Sequence, residues 1–259
     1  MIDSDAIEYA QARLQARFGA RPDAAAWRRI ETIRELPALF EMARTTAFRP
    51  LVAGLAPDQP AHTLEGGLRA HWRDLAREVT GWLPGPWQRA AEWFARIPDL
   101  PVIEHLLRGG AAPAWMRDDP VFGALADADP HARRHMVAEG ALAGLEVDFS
   151  ADPGPTALAE AWVAVLRARL PDAAGDEALH LDALGRLLSQ HRHAIVAAQP
   201  GEAEGLRRSL AARLELLFRR AALTPAAGFC YLALAALDFL RLRGEIVRRA
   251  ALPRMGEAG

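Results

Sequence analysis

Lysine is absent from this chain of 259 residues, so all 31 residues counted as Lys plus Arg are arginine. Cysteine occurs once, at Cys230, which excludes an intramolecular disulfide and any paired-cysteine metal motif. Long apolar runs are missing as well. The longest, Phe229 to Leu237, is about half of the roughly 20 residues that a membrane-crossing helix needs. The opening stretch "MIDSDAIEYA" is acidic and has no apolar centre, unlike a secretory leader, so the expected location is cytoplasmic. A large charge of one sign is also lacking: the formal net charge is −2, without the basic excess of a general nucleic-acid binder. Alternating β-branched runs are scarce, which argues against strands.

What remains is apolar and helical in its spacing. Apolar residues make up 51% of the chain, enough for one large core or two small ones, and they recur at steps of three and four. The pattern predicts an all-α protein built of short hairpins. A first helix is expected over about Asp5 to Phe18 and a second from near Asp23, with Pro37 separating it from a short helix that carries Phe40 and Ala43. Pro50, Pro57 and Pro60 bound a connector before a helix over roughly Leu64 to Val79, and Pro86 begins the next. Asp99 is a candidate cap ahead of Pro101, and Gly109 with Gly110 ends that helix. Asp119–Pro120 and Asp129–Pro130 mark two further starts. The segment 148–156, "DFSADPGPT", divides helical modules over 1–147 from a C-terminal module over 157–259. Long helices are expected in that last module, near Leu158 to Leu170, Ala178 to Ala198, Glu202 to Ala222 and Pro225 to Ala251.

Reactive chemistry is sparsely signalled. His131, His135 and Glu139 share one helical face and could hold zinc or a redox metal, but only with another ligand, such as His191 or His193, from elsewhere. An ordinary polar face explains the same spacing more simply. Ser189 near His191 does not specify a triad, and no nucleophile elbow, phosphate-binding loop or dinucleotide fingerprint is present. Cys230 lies in "AAGFCYLALAAL", which predicts a buried, neutral thiol. The seven tryptophans, four of them (Trp72, Trp82, Trp87 and Trp93) near the central helix junctions, are expected to pack a rigid hub or a ligand pocket. No enzyme activity and no cofactor are expected.

The closing stretch "YLALAALDFLRLRGEIVRRA" sets Arg241, Arg243, Arg248 and Arg249 on an amphipathic helix. Phe229, Leu232, Ala233, Ala236, Leu240, Val247 and Ala251 form its predicted packing face, and Arg241 with Glu245 is a candidate i,i+4 pair. Without interleaved aromatic residues, nucleic-acid binding is not expected.

Several separated patterns resemble one family. "EYAQARLQARFG" resembles the opening helix of the V/A-type ATPase central-stalk connector, a family with members in archaeal, bacterial and eukaryotic complexes; Tyr9, Ala12, Arg13, Leu14 and Arg17 carry the likeness. "LFEMARTTAFRPLV" and "LEGGLRAHWRDL" follow in the family's order, with Thr46 and Phe48 in the first. "WFARIPDLPVIEHLLRGG" is similar to a family segment through Asp99, Ile103, Leu107, Arg108 and Gly109. The end of the chain adds Pro225, Tyr231, Asp238, Leu242, Arg243 and Ile246 or Val247. The chain is shorter than the family's usual length, especially between Asp118 and Thr156, which implies a reduced version of its three-module funnel. The resemblance implies a non-catalytic rotor connector without cofactor or metal. Its partners would be the central-stalk subunits and the membrane proteolipid ring, and it would sit on the cytoplasmic side, peripheral to the inner membrane. Arg13, Arg17, Arg241, Arg243, Arg248 and Arg249 are the candidate protein contacts. A standalone helical adaptor of the same fold is the alternative, followed by a helical enzyme or ligand-binding protein.

Overall fold

The computed structural model describes residues 4–139, 142–145, 147, 154–199 and 201–251. Among these there are α-helices, 3-10 turns and loops, and no strand, as the spacing of apolar residues predicts. The helices are α1 (Ser4–Gly19), α2 (Ala24–Thr32), α3 (Leu36–Arg44), α4 (Arg49–Val52), α5 (Ala61–Trp82), α6 (Gly85–Phe94), α7 (Leu100–Leu107), α8 (Gly123–Asp127), α9 (Pro130–Glu139), α10 (Ala157–Arg169), α11 (Gly175–Ala197), α12 (Ala203–Arg220) and α13 (Ala226–Ala251).

Local chemistry sets most boundaries. The Asp23 carboxylate accepts the Ala26 amide at 2.7 Å and opens α2, while Asp129 accepts the His131 and Ala132 amides at 2.8 and 3.0 Å and opens α9. These hydrogen bonds favour the ionised form and hold both carboxyls below their ordinary range. Pro37, Pro86 and Pro101 each stand in a first helical turn, where a missing amide hydrogen costs nothing. Gly109 leaves α7 with φ of +85°, a conformation that favours glycine. Two expectations are corrected. Pro50 lies inside the short helix α4 and does not bound a connector, because a proline in a first turn continues a helix as readily as it precedes one. Asp119–Pro120 starts a turn, and α8 begins only at Gly123, because the Asp119 carboxylate takes the Val121 and Phe122 amides into a local loop.

Helix α13 is the central shaft. Every residue from Ala226 to Ala236 is buried, and the helix packs against α1, α3, α5, α6, α11 and α12. Small residues permit that crowding. A Cβ added at Gly228 would stand 2.5 Å from the Leu83 side chain, and alanines fill much of the same turn. Aromatic rings lock the shaft to its neighbours: Trp72 of α5 stacks on Phe239 at 5.3 Å, and Phe94 of α6 meets Phe229 edge-on at 5.4 Å. All seven tryptophans are buried. The Trp72 indole donates to the Ala95 carbonyl and that of Trp93 to the Trp162 carbonyl. Beyond Ala236 the fully buried stripe runs through Phe239, Leu242 and Ile246, while Leu240 and Val247 of the predicted line pack half-buried against the core and Ala251 is exposed. The shaft's early turns are enclosed on every side, so its periodicity shows no single face until neighbours fall away. Most of the segment proposed as a hinge, 148–153, lies outside the described residues. The Pro155 carbonyl beyond it accepts from Arg192 of α11 at 2.6 Å.

Truncating Phe239 to alanine removes a fully buried ring from the contact between α5 and α13. Urea denaturation of Phe239→Ala is expected to show a loss of about 3–5 kcal/mol in stability.

Candidate functional site

The most concentrated polar arrangement is buried. Glu65, Arg69 and Arg73 recur every four residues along α5, which places them on one face turned toward the 3-10 turn at Ile97–Asp99 and the loop before α8. Arg69 donates from Nε to Glu65 at 2.6 Å and from Nη1 to Asp99 at 2.6 Å. Arg243 reaches from α13 and grips both Glu65 oxygens at 2.6 and 2.7 Å. Arg73 binds both oxygens of Asp119, and the Trp115 ring lies 4.5 Å beneath the Arg69 guanidinium. Glu65, Arg69, Asp99 and Asp119 are 3–6% exposed. Three carboxylates face three guanidiniums, so the cluster is neutral overall. Burial pushes the Asp99 carboxyl upward against the pull of Arg69 and Arg73, a sign that desolvation is the larger effect there. Asp99 stands at the N-cap position of α7 as expected, but its side chain makes no cap hydrogen bond there and serves as an ion-pair partner of Arg69.

The six candidate contact arginines have varied surroundings. Arg17 holds Glu78 through two bonds of 2.9 and 2.7 Å. Arg241 pairs with Glu31 and Glu204 and stacks on Trp27 at 4.3 Å. Its expected partner Glu245 instead takes Arg248 and Arg249, because Arg241 points toward α2 and α12. Arg249 also donates to the Ile33 carbonyl at the end of α2. Arg243 belongs to the buried network. Arg13 has no ion pair among the described residues; it donates to the Tyr9 hydroxyl and lies over the Tyr9 and Trp82 rings at 5.4 and 5.5 Å. Five of the six thus form ion pairs within the chain, although Arg248 remains largely exposed.

The remaining candidates show no assembled reactive centre among the described residues. His131 and His135 are exposed on α9, the Glu139 side chain lies outside the described residues, and no metal-binding cluster occurs among the described ones. His193 Nδ1 lies 2.8 Å from the Ser189 carbonyl. Cys230 is fully buried, and desolvation raises its thiol to about 12. Helices α7, α10, α11, α12 and α13 enclose a groove of about 620 Å³. Leu210, Leu214, Leu237 and Leu240 give it an apolar floor, and Glu104, His191, Arg192 and Arg207 supply polar groups. Burial lowers the His191 imidazole below its ordinary range, and the charge of Arg207 lowers it further.

Comparison of the chain with protein-family models, curated proteins and solved structures returned no match. Sequence reading singled out Asp99 and Arg243 but missed Glu65, Arg69, Arg73 and Asp119 as their partners. The one available signal was three charged residues spaced by four on a helix that otherwise buries leucine and tryptophan.

Two outcomes follow for solution measurements. Arg69→Ala strands buried carboxylates and is expected to cost about 3–5 kcal/mol, whereas replacing Arg69 and Asp99 together by Met and Leu should cost less, as read from urea midpoints. A depressed His191 lets the unfolded chain bind a proton that the folded chain refuses. That contribution to stability is present above about pH 6.5 and is lost on acidification toward the lower folded value. His191→Gln should therefore lose less stability than the parent chain between neutral and mildly acidic pH.

Proposed function

We propose that this chain is a non-catalytic helical coupling protein of the rotary-ATPase connector kind, transmitting force between central-stalk subunits and a membrane proteolipid ring. One observation supports the reading most. The buried ion chain Arg243–Glu65–Arg69–Asp99 ties together three of the separated segments that resemble the connector family. The opening segment joins them too, since α1 packs on α13 and Arg21, just beyond α1, pairs with Asp238 at 2.7 Å. Such cross-bracing suits a part that must carry torque without deforming, because close-packed interiors transmit strain. No described helix is long and apolar enough to cross a membrane, so membrane association on this reading runs through protein partners.

The groove beneath α11 favours a second reading, a small-molecule binder. A saturable site for an apolar fluorescent probe that Ala236→Phe closes would support it, and a native chain that takes up no such probe would end it.

Affinity isolation of the tagged chain from its native host, under gentle solubilisation, tests the coupling proposal. Stoichiometric recovery of ATPase stalk and ring subunits is the expected outcome. Reproducible isolation as a lone monomer refutes it.

A further inference from the structure

Many arginines in this molecule pair with carboxylates and others do not, and three without an ion pair gather around one ring. Arg89, Trp93 and Arg96 are spaced by four and three residues, so they share one stripe that runs along α6 and past its end. Arg169, in the last turn of α10, lays its guanidinium over the Trp93 ring at 4.2 Å from the opposite side of the α6–α10 contact. No ion pair or side-chain hydrogen bond ties Arg89, Arg96 or Arg169 to any of the described residues. Arg89 is exposed, and Arg96 and Arg169 are half-buried. Burial lowers the Arg169 guanidinium below its ordinary range, the positive charges of Arg89 and Arg96 lower it further, and Glu92 opposes them. Three positive groups thus gather around one buried ring, with exposed Glu92 in their midst and buried Asp99, already bound by Arg69, attracting Arg96 from the interior; the excess of positive charge suits an anion.

We infer that Arg89, Arg96 and Arg169 form the docking surface for a carboxylate-rich segment of a partner protein. The inference deepens the coupling reading and rests on it for the partner's identity. Trp93 is 1% exposed and already covered by Arg169, so no nucleic-acid base can stack on it. Three arginines beside a glutamate fall short of the four to eight basic residues, as an order of magnitude, that mark adhesion to an anionic membrane. Planar guanidiniums match carboxylates through paired hydrogen bonds, and Trp93 holds the Arg169 fork in place.

The test uses the whole chain and a fluorescein-labelled hexaglutamate peptide, read by anisotropy at low ionic strength. Oligothymidylate and phosphatidylserine vesicles serve as the other arms. The peptide is expected to bind in a salt-sensitive manner. Arg89→Glu and Arg169→Glu should each weaken it by about tenfold or more, while Arg248→Glu, at an exposed paired arginine, leaves it unchanged. Arg89 is exposed, so its variant keeps the test valid even if Arg169→Glu disturbs the packing on Trp93. Absence of peptide binding, equal loss in all three variants, or tighter binding of oligonucleotide or vesicles through these arginines overturns the inference. Recovery of stalk subunits by the parent chain but not by Arg89→Glu places the acidic segment on the stalk. Equal recovery by both overturns the docking surface and leaves the coupling reading standing, whereas peptide binding without any recovery of ATPase subunits by the parent chain refutes the coupling reading alone.

Discussion

The guanidinium of Arg69 is the constraint on which the rest of the molecule turns. It lies 4% exposed, and it satisfies Glu65 one turn back on its own helix and Asp99 in a turn some thirty residues later. Glu65 then recruits Arg243 from the closing helix, and Trp115 packs the far side of the guanidinium. A buried pair of this kind adds little net stability over an apolar replacement, because desolvation cancels most of the attraction. What it does supply is discrimination. A shift of α5 by one residue would break Arg69–Asp99 and Arg73–Asp119, and a shift of α13 against it would break Arg243–Glu65, stranding buried carboxylates. The register of the helices is therefore set by charge, while leucine and aromatic packing supplies the cohesion.

That division of labour explains where the arginines went. With lysine absent, every Lys-or-Arg position carries a planar fork able to hold two acceptors and to stack on a ring. The chain uses both properties. Arg17 grips both oxygens of Glu78, Arg249 ties α13 to the end of α2, and Arg241 stacks on Trp27 while pairing with Glu31. The fold thus turns several of the candidate contact points toward internal partners, while most of the described arginines stay exposed. The cations left for a partner are those without an internal acceptor, and the cluster around Trp93 gathers three of these.

Cys230 is sealed in the shaft, and the groove that holds His191 brings no nucleophile into hydrogen-bond range of it among the described contacts. On the proposed coupling reading, function depends on what the chain touches.

The sequence by itself determined the helices. Periodicity, the caps at Asp23 and Asp129, prolines in first turns and Gly109 at a helix end are local effects that a few neighbouring residues decide, so they were legible without the fold. The burial of Cys230 and the tryptophans was legible for the same reason, since their apolar surroundings are written beside them. Only the tertiary structure decided which charges are interior. Whether Arg243 faces water or Glu65 depends on α5 lying against α13, a contact 178 residues apart that no local pattern encodes. The same holds for the basic cluster, where Arg169 joins Arg89 and Arg96 only because α10 packs on α6. Charge placement is a property of the assembled packing, because the cost of an ion depends on everything that displaces water around it.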